Sequence, residues 1–215
     1  MSESFFVALE GPEGAGKTTL AGALTDRFRS AGRETVLVRE PGGTPAAEAL
    51  RYELLHAERG LTAERELLYL VTARADLVGR VIRPALQAGL VVVSDRYDLS
   101  TMAYQGAGRG LPLPMVSWVN DAATGGLRPD LTLILDLPPE VGAARQLAAG
   151  KTRDRLDTEP LDFHRRVSAR YRSETGPGIV HLDAALPPAE LLERAWTAVL
   201  AARPELVPDA VEPRT

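Results

Sequence analysis

The segment that most constrains this chain is residues 11–18, Gly-Pro-Glu-Gly-Ala-Gly-Lys-Thr, which fits the pattern G-x-x-x-x-G-K-T. A short apolar run, residues 5–9, precedes it, and a stretch with helical apolar periodicity follows from Thr19. This order of strand, loop and helix is the context in which the motif binds phosphate, because glycines let backbone N–H groups surround a polyphosphate at a helix N-terminus. The alternative is an ordinary glycine-rich turn. The sequence therefore predicts a site for a nucleotide polyphosphate.

Residues of this loop have distinct expected roles. Lys17 is predicted to reach the β- and γ-phosphates of ATP, and Thr18 to ligate Mg²⁺. The predicted ATP-binding residues are Gly11, Pro12, Glu13, Gly14, Ala15, Gly16, Lys17, Thr18 and Thr19.

Length and composition narrow the class of protein. The 215 residues, 45% of them hydrophobic, can form the core of one α/β domain. The sequence has no cysteine, which fits a reducing compartment and leaves no thiolate metal site. No basic segment precedes the first apolar run, and no stretch reaches the ~18 apolar residues of a membrane span. We therefore expect a cytoplasmic protein without a membrane partner, and the net charge of −4 argues against a nucleic-acid partner.

Short β-rich runs alternate with longer helical patterns, which predicts a mostly parallel sheet with helices on both faces. The predicted strands are residues 5–9, 35–38, 90–94, 131–135 and 179–182. The predicted helices are residues 17–31, 46–56, 63–88, 100–105, 115–125, 139–147, 161–174 and 188–202. We expect a single domain over residues 1–203, followed by a flexible tail, 204–215, that is rich in proline and acid.

Two absences in the sequence exclude large classes of phosphate-loop protein, since the loop alone does not define a function. Asn120 is the only asparagine and precedes Asp121, so the guanine-reading motif N-K-x-D is missing. The serine and glycine signature of transporter ATPases is missing too. A signalling GTPase and an ATP-binding cassette are therefore disfavoured.

Three further segments point towards a kinase with a second phosphorylated substrate. Residues 39–44, Arg-Glu-Pro-Gly-Gly-Thr, follow the second strand at the edge where open α/β sheets bind ligands, although such glycines also occur in ordinary turns. The third strand leads into Asp95, placed to orient Mg²⁺ or its water, and Arg96, suited to clamp a phosphate; a salt bridge at the strand end is the alternative. Residues 151–157 have the composition of a mobile basic lid or of a solvated charged loop.

Together these segments resemble the thymidylate kinase family, whose members phosphorylate dTMP to dTDP with ATP. The resemblance extends from Phe5 to about Ala202 and is most specific in residues 11–19, 39–45 and 95–110. It implies a P-loop NTPase fold, which is an α/β fold with a five-stranded parallel sheet, helices on both faces and a small lid segment at about residues 149–158. It also implies a homodimer built from helices.

The resemblance further implies the roles of individual residues. Glu13 corresponds to the acid that contacts the sugar 3′-hydroxyl, Arg96 to the arginine that bridges the two substrates' phosphates, and Arg74 to the arginine that reads thymine. Thr101 is expected at the base, and Tyr104 against the deoxyribose. The implied dTMP-binding residues are Glu13, Arg39, Arg51, Leu70, Arg74, Arg96, Thr101, Tyr104 and Gln105, and the implied metal ligands are Thr18 and Asp95.

Gly14 carries a mechanistic distinction within the family. Some members hold a basic residue at this place, whereas this chain resembles the bacterial type with a basic lid. Lid cations then neutralise the charge of the transferring phosphoryl group. The expected catalytic residues are Lys17, Arg96, Glu13, Arg153 and Arg155, with Lys151 and Arg145 as secondary candidates.

Leu70 departs from the family pattern, which commonly has an aromatic ring stacked on thymine at this place. The neighbouring Tyr69 cannot replace that ring, because adjacent helix positions point about 100° apart. This departure leaves open another deoxynucleotide or nucleoside kinase on the same scaffold. A more distant alternative is a nucleotide-binding module without catalysis.

Overall fold

Five parallel strands form one sheet in the computed structural model, which describes residues 4–57, 60–150, 152 and 154–206. The strands are β1 (Phe5–Glu10), β2 (Thr35–Arg39), β3 (Val91–Asp95), β4 (Leu131–Asp136) and β5 (Ile179–Asp183). Their order across the sheet is β2-β3-β1-β4-β5, so the five carboxyl ends share one edge. This confirms the predicted sheet. Each strand ends one residue later than predicted, because its last residue is polar or charged and the apolar pattern stops before it.

Helices cover both faces of the sheet. They are α1 (Lys17–Ser30), α2 (Pro45–His56), α3 (Ala63–Leu77), α4 (Arg83–Gln87), α5 (Asp98–Thr101), α6 (Leu113–Thr124), α7 (Pro139–Ala148), α8 (Leu161–Ser173) and α9 (Pro188–Ala202). In β1, Phe5 and Leu9 pack in a core with α1 and α9, whereas Phe6 and Ala8 face a second core that includes the end of α3. Alternate residues of the buried strand thus serve opposite faces, as the pleat requires.

Two predicted helices differ from those observed. The helix expected over 63–88 is divided by a π-helical turn, Val78–Ile82, and the helix expected over 100–105 continues as a π-helix, Met102–Gly108. Tight packing accompanies the second π-helix: a Cβ atom on Gly108 would lie 2.6 Å from the ring of Phe163. Apolar periodicity cannot reveal such turns, because they arise from tertiary contacts and change the helix over only a few residues.

The expected flexible tail begins with a short 3₁₀ turn, Pro204–Leu206, and Leu206 is buried in the core beside α9. The apolar Leu206 explains this difference, because it can pack where the surrounding proline and acid cannot. Residues 207–215 lie outside the described part of the chain. Within the described residues, no helix has the length and apolar character to cross a bilayer.

Candidate active site

The phosphate loop, residues 11–18, connects β1 to α1 at the shared edge of the sheet. Gly11, Gly14 and Gly16 all have positive φ angles, which glycine adopts without steric cost. At Gly11 a side chain is also excluded by close approach, since a Cβ atom would lie 2.5 Å from the carbonyl oxygen of Leu135 on β4. Gly16 is the N-cap of α1 and offers no side chain to bind the first N–H groups. Those donors are therefore left for an anion.

Lys17, the first residue of α1, has a buried side chain. Its Nζ donates to the carbonyl oxygens of Gly11 at 3.0 Å and Pro12 at 2.7 Å. Burial, and then the nearby Arg96, lower the pKa of Lys17 to about 8, because both disfavour the ammonium form. The lysine charge is thus held directly beneath the loop.

Thr18 and Asp95 meet where α1 begins and β3 ends. The Thr18 hydroxyl donates to Asp95 Oδ2 at 2.5 Å. The register of the sheet causes this meeting, because Asp95 pairs with Leu9, the residue two before the loop. A hydroxyl and a carboxylate are hard oxygen donors of the kind that divalent cations prefer in nucleotide sites. The two predicted metal ligands therefore lie together and fit such an ion.

Arg96 is the centre of a hydrogen-bonded cluster on the other side of the loop. Its backbone φ is +75°, an uncommon left-handed conformation for a residue with a side chain. Its guanidinium donates to the Gly11 carbonyl, Glu13, Ser100, Tyr104 and Tyr171. Burial opposes the charge, yet Glu13 and the other neighbours raise the pKa of Arg96 well above its ordinary value.

Glu13 and Tyr104 complete this cluster. Glu13 Oε1 accepts from Arg96 Nη2 at 2.7 Å and from the Tyr104 hydroxyl at 3.0 Å. The Arg96 guanidinium also lies over the Tyr104 ring, 5.1 Å from its centroid. Three residues predicted at the acceptor sugar and phosphate are therefore in direct contact, and they orient one another before any ligand binds.

Arg74 is buried, with its side chain 2% exposed, unlike most arginines on helices. Its Nε donates to Glu40 at 2.6 Å, and its Nη1 donates to Thr101 at 2.9 Å. The remaining partners are Asn120 Oδ1 and the Tyr97 carbonyl. This network connects α3, the turn after β2, the end of α5 with the residue before that helix, and α6. It fixes the guanidinium plane, as recognition of a flat base requires.

One cavity of about 520 Å³ lies above the sheet edge and joins these groups. All nine predicted dTMP-binding residues line it, including Arg39, Arg51, Leu70 and Gln105. Of the predicted ATP-binding residues, Glu13, Gly14, Gly16, Lys17, Thr18 and Thr19 line it, whereas Gly11, Pro12 and Ala15 are buried behind them. The cavity therefore has one wall of phosphate-binding groups and another of groups suited to a base.

Known proteins are similar to this chain in sequence and in structure. The family model described as thymidylate kinase matches residues 9–195. A thymidylate kinase of Thermomicrobium roseum is 48% identical over 199 residues, which cover 91% of this chain and 94% of that protein. One from Deinococcus radiodurans is 44% identical over 203 residues, covering 93% and 98%. The crystal structure of thymidylate kinase from Ehrlichia chaffeensis is similar with a TM-score of 0.74 and 25% identity, over 91% of this chain and 98% of that one.

This chain belongs to the thymidylate kinase family.

Membership confirms the resemblance inferred from the motifs and, with the observed sheet, the α/β P-loop fold. Gly14, the residue where the resemblance implied a basic side chain in some members, lies in close contact with α7 in this structure. A Cβ atom on Gly14 would collide with the carbonyl oxygen of Gly142 on α7. The loop thus packs directly on α7, and no basic side chain fits at residue 14 in this packing.

In this thymidylate kinase family member, Arg155 of the predicted lid segment contacts α2 and α3. Arg155 donates through Nη2 to Glu66 at 2.6 Å and through Nε to the Leu54 carbonyl at 3.2 Å. Its guanidinium is therefore engaged by Glu66, and Arg155 is not among the described residues that line the cavity. The catalytic role of Arg155 stays a prediction. It requires that the Arg155 guanidinium move away from Glu66. Arg153 and Lys151 lie outside the described residues, whereas Arg145 lines the cavity.

Sequence reasoning missed three buried polar residues that support this site: Glu10, Glu66 and Asn120. Glu10 ends β1 and accepts from the Tyr97 N–H at 2.8 Å and the Ser100 hydroxyl at 2.6 Å. Burial raises its pKa. A lone acid at the end of an apolar strand is a signal that could have revealed Glu10. The other two lie on amphipathic helices, where nothing in the local sequence separates them from solvated residues.

Proposed function

We propose that this protein transfers the γ-phosphoryl group of ATP to the 5′-phosphate of dTMP, giving dTDP and ADP. The observation that carries this proposal is that Lys17 of the phosphate loop and the pair Glu13 and Arg96 line the same cavity as the buried Arg74. A polyphosphate and a base-bearing monophosphate can therefore occupy one enclosure. Membership of the thymidylate kinase family identifies the base expected there.

The phosphate loop would bind the donor. Its backbone N–H groups and Lys17 would hold the β- and γ-phosphates, as in other phosphate-loop proteins. Thr18 and Asp95 would hold Mg²⁺ together with phosphate oxygens, since the described residues contain no cluster of three acidic or histidine side chains that could bind a cation alone. When bound, the ion would neutralise charge on the β- and γ-phosphates.

The acceptor would lie between Arg96 and Arg74. Arg96 would bind its phosphate, with Arg39 and Arg51 as further cations of the same wall, and Glu13 would accept a hydrogen bond from the sugar hydroxyl. Arg74 and Thr101 would face the base, which packs against Leu70. The acceptor phosphate is already an anion, so its oxygen attacks the γ-phosphorus directly, and no protein side chain becomes covalently modified. Catalysis then consists of alignment and charge neutralisation.

The lid arginines are proposed as additional cations for the transferring group. Arg153 and Arg155 together are expected to affect turnover more than dTMP binding, because charge on the phosphoryl group spreads during transfer. Replacement of both arginines by glutamine should lower kcat strongly while the KM for dTMP changes little. Equal losses in kcat and in affinity would assign them to binding instead.

An ADP-release assay against dTMP, dUMP, dCMP, UMP and thymidine tests the proposed function. The expected result is fastest turnover with dTMP and no turnover with thymidine, which lacks the acceptor phosphate. Faster turnover with another acceptor would assign the protein to a different nucleotide. ATP binding without turnover on any of them would contradict kinase activity altogether.

We further propose that the protein is a cytoplasmic homodimer. Exposed apolar side chains on α3 and α6 support the dimer, above all Trp118, 71% exposed, and Leu68, 58% exposed. Cell fractionation tests the location.

A further inference from the structure

Glu10, the last residue of β1, has a fully buried carboxylate. Its Oε1 accepts from the backbone N–H groups of Tyr97 at 2.8 Å and Ser100 at 3.1 Å. Its Oε2 accepts from the hydroxyl groups of Ser100 at 2.6 Å and Tyr171 at 3.1 Å. Because these partners all donate, they favour the ionised carboxylate against the burial that raises its pKa. Glu10 is not among the described residues that line the cavity, so its influence on the site passes through these partners.

The first carboxylate oxygen of Glu10 fixes the turn in which Arg96 lies. Arg96 has a left-handed φ of +75°, and a residue with a side chain keeps such a conformation only where its surroundings enforce it. The Arg96 N–H donates to the Leu9 carbonyl at 3.0 Å, and the next N–H along the chain, that of Tyr97, donates to Glu10. Neighbouring residues of β1, Leu9 and Glu10, therefore hold two successive N–H groups of this turn.

The second carboxylate oxygen acts on the Arg96 guanidinium through two hydroxyl groups. Arg96 Nη1 donates to Ser100 Oγ at 3.1 Å and to the Tyr171 hydroxyl at 3.2 Å. A guanidinium only donates and an ionised carboxylate only accepts, so a hydroxyl between them gives its proton to the carboxylate and accepts from the arginine. Ser100 and Tyr171 thus present lone pairs to Arg96 because Glu10 takes their protons. Hydrogen bonds that are connected in this way strengthen one another.

We propose that Glu10 is a positioning residue for phosphoryl transfer, because it holds both the backbone and the guanidinium of Arg96 in the orientation that binds the acceptor phosphate. The inference rests on the proposed function, which gives Arg96 this phosphate. Arg96 Nη1 is held by the hydroxyl groups, whereas Nη2 donates to Glu13 and Tyr104 in the cavity wall. Catalysis is sensitive to displacements of about 1 Å, so a loosened Arg96 should slow transfer.

The test measures phosphoryl transfer from ATP to dTMP in Glu10→Gln. Glutamine has the same shape, and its carbonyl oxygen can still accept from the two backbone N–H groups. Its amide nitrogen then faces Ser100 and Tyr171, whose protons lose their acceptor and whose lone pairs are shared between the amide and Arg96. We expect kcat to fall roughly 10-fold or more. The Kd of ATP should change little, because Lys17 donates to carbonyl groups of the phosphate loop instead.

The same substitution in an Arg96→Ala background separates positioning from a merely structural role of Glu10. The rate of transfer is measured there in single-turnover reactions with enzyme in excess. Glu10→Gln should cause no further loss in this background, because no guanidinium is left to position. An equal loss of rate in both backgrounds would overturn the inference, and so would a wild-type kcat in Glu10→Gln alone.

If Glu10→Gln does not fold, Tyr171→Phe removes one of the two hydroxyl groups and keeps the buried ring. It should lower kcat several-fold when Arg96 is present and have no effect in Arg96→Ala. Thr25→Val is its matched control, since it removes a buried hydroxyl that donates to the Ala21 carbonyl within α1, and it should keep the wild-type kcat. A wild-type kcat in Tyr171→Phe would overturn the inference. A wild type without turnover on dTMP would instead contradict the proposed function.

Discussion

The surroundings of Lys17 in the phosphate loop lower the pKa of its ammonium group. Burial lowers its pKa to about 8 in the free protein, so the ammonium begins to lose its proton as the pH rises through that value. Neutral Lys17 would lose its attraction for the β- and γ-phosphates. We expect kcat/KM for ATP to fall about tenfold per pH unit above pH 8, since this parameter reports groups of the free enzyme.

A pH profile of kcat/KM for ATP between pH 6 and pH 10 checks this expectation. Tyr104 and Tyr171 should not contribute, because burial raises the pKa of both well above the ordinary tyrosine value. Lys17→Arg keeps a cation that stays protonated, so its profile should be flat, at a lower level of activity, above pH 8. A wild-type profile that is also flat would contradict the shifted lysine.

Glu40 and Glu48 are each paired with an arginine of the cavity wall, yet they should differ greatly in their effect on stability. The Glu40 and Arg74 side chains are 4% and 2% exposed, whereas those of Glu48 and Arg39 are 43% and 54% exposed. Removing Glu40 leaves the Arg74 charge buried and uncompensated. Glu40→Ala should lower the free energy of unfolding by about 3–5 kcal/mol, and Glu48→Ala by less than about 1 kcal/mol.

Urea unfolding of both variants measures the difference. Burial raises the pKa of Glu40 to about 7 against the pull of Arg74. The measurement should therefore be made at pH 8, where the carboxylate is mostly ionised. Equal losses of stability in the two variants would mean that the buried pair contributes no more than a surface pair.

At the scale of secondary structure, the phosphate loop packs directly against α7, the helix that precedes the proposed lid. A Cβ atom on Gly142 would collide with the carbonyl oxygen of Glu13. Gly142→Ala must therefore separate the loop from α7, and overpacking of this kind typically costs about 1–3 kcal/mol. Because the loop itself shifts, we expect kcat/KM for ATP to fall at least tenfold, an estimate from the sensitivity of catalysis to misplacement by about 1 Å.

Gly22 provides the matched control, since it also lies inside a helix but a Cβ atom there meets no described atom within 4 Å. Gly22→Ala should raise the melting temperature slightly, because alanine favours the helix by roughly 0.5–1 kcal/mol over glycine. Kinetics with ATP and thermal unfolding of both variants check the prediction. A Gly142→Ala protein with wild-type kinetics would contradict tight coupling of loop and helix.

Some of the observed structure follows from local sequence patterns, and some depends on contacts between distant residues. The strands were predicted to within one residue, because runs such as Val91 to Val93 are apolar, β-branched and bounded by turns. Motif spacing likewise pointed to the cavity residues Lys17 and Arg96, and the family resemblance pointed to Gln105. The contact of Arg155 with Glu66 could not be predicted, since it joins residues 89 positions apart whose local patterns resemble solvated surface. Long-range pairing of charges depends on the assembled fold rather than on periodicity.

For the whole molecule, the proposed homodimer concerns the exposed faces of α3 and α6. Leu68 on α3 and Trp118 on α6 are exposed, and a small core that contains Leu67 and Val116 joins these two helices from within. Arg74 on α3 and Asn120 on α6 are hydrogen-bonded to each other beside the cavity. An interface on this face would therefore support the two helices that hold Arg74, the arginine proposed to contact the base.

Trp118→Glu tests this assembly, because a charge in an apolar interface is desolvated without a partner. We expect light scattering to give twice the chain mass for the wild type and the chain mass for the variant, at micromolar concentration. The monomer should also have a higher KM for dTMP, since α6 loses its support beside Arg74. Leu147→Glu, at an 80% exposed apolar residue on α7 instead, should remain dimeric. A wild type that is monomeric across the same concentrations would contradict the proposed homodimer.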